Sequence, residues 1–196
     1  MKQALLALYL LFGFNVCSIA SIPVSNATEE QTAKFSKFFE EGKVDQDNAQ
    51  DQFNLFIKYL NGTGVPENKK LAVEWCIKSA KQGYEDAQYF LGRMYYYGDI
   101  IIIPENKKLA FEWFNKAAEQ GNIGAQSHLG YMYSKGEGVT ADNKYAYAWY
   151  SVQFVLDDSK YTKNQRDSVA TKLSSSGLEE AQDIATKLYD KINSNK

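Results

Sequence analysis

Apolar residues return along the chain at helical spacing. Ala87, Leu91 and Tyr95 stand at i, i+4 and i+8, and Ala125, Leu129 and Tyr133 repeat the set. Each series puts one apolar stripe on one helix face. A degenerate copy runs from Asp51 to Gly62. After each copy come a loop and a second helical run: Pro66–Trp75, Pro104–Trp113 and Thr140–Trp149. Trp75 and Trp113 lie 38 residues apart, and Trp113 and Trp149 lie 36 apart. The period is 36, with two residues inserted between Gly98 and Pro104. Self-similarity at that length predicts an all-α chain, an α/α solenoid of helix-pair repeats with helical caps.

Local chemistry supports the same elements. Asn68, Asn106 and Asp142 can accept from free N–H groups where each second helix begins. In these second helices Ala72, Trp75 and Ser79, and again Ala110, Trp113 and Ala117, share one side. Gly92 and Gly130 sit inside first helices, where glycine costs about 0.5–1 kcal/mol relative to alanine. A cost repeated at one register predicts close approach of two helix backbones. Glycine pairs mark the turns at Gly62-Thr63-Gly64 and Gly136-Glu137-Gly138. The middle turn keeps Gly98, loses its second glycine and carries Ile100 to Ile103. These isoleucines either tuck against adjoining helices or form an exposed apolar contact patch.

The flanks differ from the repeats. Met1-Lys2, the apolar run from Leu5 to Phe12 and Ser18-Ile19-Ala20 form the pattern of a signal peptide over residues 1–20. Ser25-Asn26-Ala27 offers a second cleavage point. Residues 21–50 read as a linker and an N-terminal capping helix, the helix over 29–41. Residues 51–154 hold three repeats, 51–86, 87–124 and 125–154. Residues 155–196 read as a C-terminal helical cap, with helices over Gln165–Leu173 and Leu178–Ile192 and fraying from Asn193.

Composition narrows the function. The chain is 44% hydrophobic and 23% charged with a formal net charge of −2, which is ordinary for a globular domain and offers no basic field for nucleic acid. Signal cleavage leaves no integral membrane span, and leaves Cys76 as the sole cysteine, so packing alone holds the array. His128 is the single histidine; it and Cys76 fall on different helix types, and no motif joins them. A Cys–His pair needs hydrogen-bond reach and an orienting group, and two such ligands make no zinc site. The expectation is no enzyme, no metal and no cofactor.

These residues resemble the Sel1-like repeat family, relatives of tetratricopeptide repeats. The third copy carries the pattern through Ala125-Gln126, Leu129-Gly130, Tyr133, Gly136-Glu137-Gly138-Val139, Asp142, Lys144, Ala146 and Trp149-Tyr150. The second carries it through Ala87-Gln88, Leu91-Gly92, Tyr95, Gly98, Ala110, Trp113-Phe114 and Lys116-Ala117-Ala118. The first departs at Asp51 and Phe56, which brings tight packing of that pair into question. The resemblance implies a periplasmic or secreted bacterial protein that binds a protein or peptide without catalysis. An alternative is a periplasmic immunity or inhibitor protein that neutralises a toxin. A third reading, a cell-wall-directed or β-lactam hydrolase, draws on exported relatives rich in cysteine pairs, which this chain lacks. In related architectures the first helix of each pair lines the concave side. The binding candidates there are Phe90, Arg93, Met94 and Tyr97, then His128, Tyr131, Met132 and Lys135, with Ile101 and Ile102 from the middle turn.

Overall fold

The computed structural model describes residues 47–98 and 103–194. They belong to the second of two units into which the chain divides, Met1–Lys43 and Val44–Lys196. The proposed signal peptide, the 29–41 helix and residues Ile100, Ile101 and Ile102 lie outside the described residues. Ile103, at the end of that turn, is buried.

All regular structure among the described residues is helical. Three pairs come first: α1 (Ala49–Asn61) with α2 (Lys69–Lys81), α3 (Glu85–Tyr97) with α4 (Lys107–Glu119), and α5 (Ile123–Lys135) with α6 (Asn143–Asp157). Then α7 (Lys160–Ala170) and α8 (Ser175–Ser194) close the array. Each helix packs on its pair partner, α2 packs on α3 and α4 on α5, so the pairs form a solenoid. Both α7 and α8 pack on α6, and α8 also reaches α4.

Caps set the boundaries. Asn68 Oδ1 accepts from Leu71 N at 3.0 Å, Asn106 Oδ1 from Leu109 N at 3.0 Å, and Asp142 Oδ1 from Lys144 N at 2.8 Å. Two first helices have asparagine caps too, Asn48 on α1 and Asn122 on α5, whereas α3 starts after Tyr84 with no side-chain cap. Ser159 caps α7, so that helix starts at Lys160, five residues before the predicted Gln165. Ser174 Oγ accepts from Gly177 N at 3.1 Å. The serine run expected to separate the last two helices therefore opens α8. Helix α8 runs to Ser194, and Ile192 near its end is buried in the core.

The core runs between the two helices of each pair. In every second helix the residue after the repeat tryptophan is buried there: Cys76, Phe114 and Tyr150. Trp75 and Trp149 are buried, whereas Trp113 is half-buried with Lys116 Nζ 4.2 Å from its ring centroid. Gly92 and Gly130 do mark a close contact, but with a side chain. A Cβ on Gly92 would lie 2.7 Å from Phe114 Cδ1, and one on Gly130 would lie 2.7 Å from Tyr150 Cε1. In the first pair the bulk changes sides: Phe56 holds the glycine register, fully buried, and the small Cys76 holds the aromatic one. The departure at Phe56 is thus accommodated.

Candidate functional site

The first helices stand side by side through an aromatic ladder. Phe90 on α3 meets Phe53 and Phe56 on α1, with centroids 5.6 and 5.5 Å apart. Tyr89 meets Phe90 at 5.6 Å and His128 on α5 at 5.8 Å. Tyr89 wedges against the α5 backbone, where a Cβ on Gly124 would come within 2.8 Å of its ring. His128 lies stacked on Phe114 at 4.5 Å, with Tyr96 and Tyr97 edge-on at 5.8 and 6.3 Å. Its Nδ1 is 2.9 Å from Gly124 O, so Nδ1 carries the proton. Burial holds its pKa below the ordinary histidine value, and nearby Arg93 adds to that.

Of the predicted binding residues, Phe90 and His128 are thus half-buried members of this ladder. Met94 and Met132 are buried outright. A first helix packs on its own second helix and on the preceding one, so its apolar face is wider than one i, i+4 stripe. Like Phe90 and His128, the other four candidates of these helices are open to solvent at least in part. Tyr97 is 50% exposed and Tyr131 41%; Lys135 is exposed and Arg93 half-buried. The Arg93 guanidinium lies 5.9 Å from the Tyr97 ring centroid and 5.8 Å from that of Phe90. Lys135 Nζ lies 6.0 Å from the Tyr131 centroid. Aromatic and cation exchange places between repeats: Arg93 shares its register with Tyr131, and Tyr97 with Lys135.

Beside this face is a clasp between repeats that the period did not reveal. Glu137 Oε2 accepts from Tyr96 Oη at 2.5 Å and from Lys107 Nζ at 2.6 Å. Those bonds, Lys107 first, hold the Glu137 carboxyl below its ordinary pKa, while burial and the carboxylate raise that of Tyr96. Gly138 makes the clasp possible, since a Cβ there would collide with the Lys107 carbonyl. A second inter-repeat contact is periodic. Gln52, Gln88 and Gln126 share one buried register. Gln88 Nε2 donates to Ala80 O at 3.2 Å and Gln126 Nε2 to Ala118 O at 3.4 Å, each tying a first helix to the end of the preceding second helix. The recurrence of Ala-Gln in sequence was the visible trace of this staple.

The remaining reactive group is inert. Burial pushes the Cys76 thiol up to about 12, and its Sγ bonds Ala87 O at 3.5 Å. The thiolate is the reactive form. Among the described residues no acid, histidine and cysteine cluster could hold a metal ion, and no helix is long and apolar enough to cross a membrane.

Comparison with known proteins agrees with this architecture. No match is found among curated proteins. A crystal structure of a Sel1 repeat protein from Oxalobacter formigenes is similar, with 32% identity and a TM-score of 0.59, over 65% of this chain and 94% of that one. A protective antigen present in uropathogenic Escherichia coli strains, displaying an SLR fold, shares the fold at 24% identity and a TM-score of 0.55. That match covers 84% of this chain and 46% of the other. The Sel1 repeat model matches residues 49–84, 85–122 and 123–151. The chain therefore belongs to the Sel1 repeat family, whose helix-pair array is a scaffold suited to protein–protein contacts.

Proposed function

We propose that the chain is an exported protein- or peptide-binding module of the cell envelope or secreted space, and that the α3–α5 face is its binding surface. One observation carries the choice of face. Arg93, Tyr97, Tyr131 and Lys135 are open to solvent beside a ladder whose other members are tied up in packing. Tyrosine and arginine are the side chains that most often anchor a partner once desolvated. Export rests on the apolar run and Ser18-Ile19-Ala20 at the N-terminus.

The test is a variant with alanine at Arg93, Tyr97, Tyr131 and Lys135. It should keep wild-type helicity and melting, and lose the partner that wild type recovers from cell-envelope extracts. Full retention of that partner moves the site elsewhere, with the Ile100–Ile103 turn next. Export is checked by N-terminal sequencing of protein from the envelope. A start at Ser21 or Thr28 agrees with it, and an intact Met1 opposes it.

A further inference from the structure

Resting on that binding face, we propose that its partner presents an acidic segment, in which two carboxylates flank an apolar side chain. The argument is charge complementarity at a defined place. The face carries three cations, Arg93, Lys107 and Lys135, against two carboxylates, Glu137 and Glu105, both of them on Lys107. Glu137 is already committed, with Lys107 Nζ and Tyr96 Oη both on its Oε2. Lys135 lies near enough to lower the Glu137 pKa further, yet it makes no ion pair among the described residues, and neither does Arg93. His128 between them is held neutral by burial. Among the described residues, two cations thus stand over a tyrosine floor, neither in an ion pair, and Lys135 feels only the field of the already committed Glu137.

Their placement fixes what fits. Arg93 sits among Phe90, Tyr97 and Tyr89 on α3, 5.8, 5.9 and 6.0 Å from their centroids, and Lys135 lies near Tyr131 on α5. Tyr97 touches His128, one turn before Tyr131 on α5, so the two cation–tyrosine pairs belong to one patch. An apolar side chain laid on the tyrosines brings a carboxylate on one side to the Arg93 fork and one on the other side to Lys135. Arginine offers paired N–H donors in a plane, and lysine a point charge, so the Arg93 end is the more selective. The exposed tyrosine hydroxyls supply further donors. An acidic chain meets no phosphate-wide basic field here, which sets this face apart from a polyanion surface.

A random peptide library displayed on phage and selected on the full chain tests this. Selection is run in parallel on wild type, on the charge variant R93Q/K135Q and on the floor variant Y97A/Y131A, each verified by circular dichroism. Wild type should enrich peptides rich in Asp and Glu around an aliphatic or aromatic residue. Synthetic copies of these should lose roughly tenfold in affinity on R93Q/K135Q, mainly through slower association, and lose their salt dependence there. Wild-type peptides that lack acids, or that bind R93Q/K135Q equally well, overturn the acidic partner and leave the binding face standing. Peptides that bind Y97A/Y131A as well as wild type, or no enrichment on wild type at all, overturn the face and the acidic partner together.

Discussion

At Gly92 and Gly130 the neighbour is an aromatic ring of the paired second helix, and in the first repeat that arrangement is inverted as Phe56 with Cys76. The inversion predicts an energetic coupling. Phe114→Cys alone opens a cavity and should cost about 2–4 kcal/mol. Gly92→Phe alone overpacks the site and should cost about 1–3 kcal/mol. The double variant copies the first repeat and should cost at least about 1 kcal/mol less than the sum. Urea melts of the four proteins check it; strict additivity would show that the two registers do not share one space. Recovery stays incomplete because Phe114 also stacks on His128. The sequence pointed to the glycine register but not to the ring, since a period shows which positions recur and not which ones touch. His128 gives a second prediction at this scale. It shares its register with Phe90. Its folded pKa lies below the unfolded value of about 6.5. The folded chain then binds fewer protons, so this residue costs no stability above that value and progressively more as pH falls below it. His128→Phe should match wild type within about 1 kcal/mol at pH 8 and gain on it at pH 5. Thermal melts at both pH values decide; a difference that does not move with pH would mean His128 titrates alike in both states.

Between elements, the turn after α5 is docked on the start of α4 by Gly138 and fastened by Glu137. The glycine pair was readable as a turn, and its docking was not. Tyr96 gives way to Leu60 and Ser134 at the same register, so the clasp occurs once and leaves no repeat signal. The glutamine staple did leave one, because the same bond recurs at each junction that shows it. Glu137→Gln keeps the shape and removes the charge. At pH 7 it should destabilise by about 1–2 kcal/mol, as expected for a charged hydrogen-bonding partner that keeps some solvent contact. The folded carboxyl is held below its ordinary pKa. Its contribution is therefore whole above the unfolded value of about 4.3, and is lost as pH falls through the folded value. The gap between E137Q and wild type in thermal melts should be widest at pH 7 and narrow as pH is lowered below about 4.3. A gap that does not narrow with acid would assign the effect to altered packing.

On the scale of the molecule, the helix pairs and their order were legible because tryptophans, caps and turn glycines recur with the period. The binding face was legible only in part. Spacing separates one helix face from another, but Met94 and Met132 went to the core because first helices are packed from more than one side. The closing helix was readable by its stripe, Ala181, Ile184, Ala185 and Leu188, whereas its grip on the repeats was not, since that grip joins residues far apart in sequence. Ile192 is buried in one cluster with Phe114, Ala118 and Met132, while Lys191 Nζ donates to Glu119 Oε1 at 2.7 Å. The cap thus bridges α4 and α6, and in a repeat array stability passes through such neighbour contacts. Ile192→Ala should lower stability by about 2–4 kcal/mol, although it stands within the last turn of the final helix. A loosely attached helix end would lose at most about 0.5 kcal/mol. Tryptophan fluorescence reads the repeats at Trp75, Trp113 and Trp149, and circular dichroism reads all helices. If the cap is part of one cooperative unit, both probes shift to lower urea together in I192A. Separation of the two transitions would show that α8 unfolds ahead of the repeats and that the bridge to α4 contributes little to holding them.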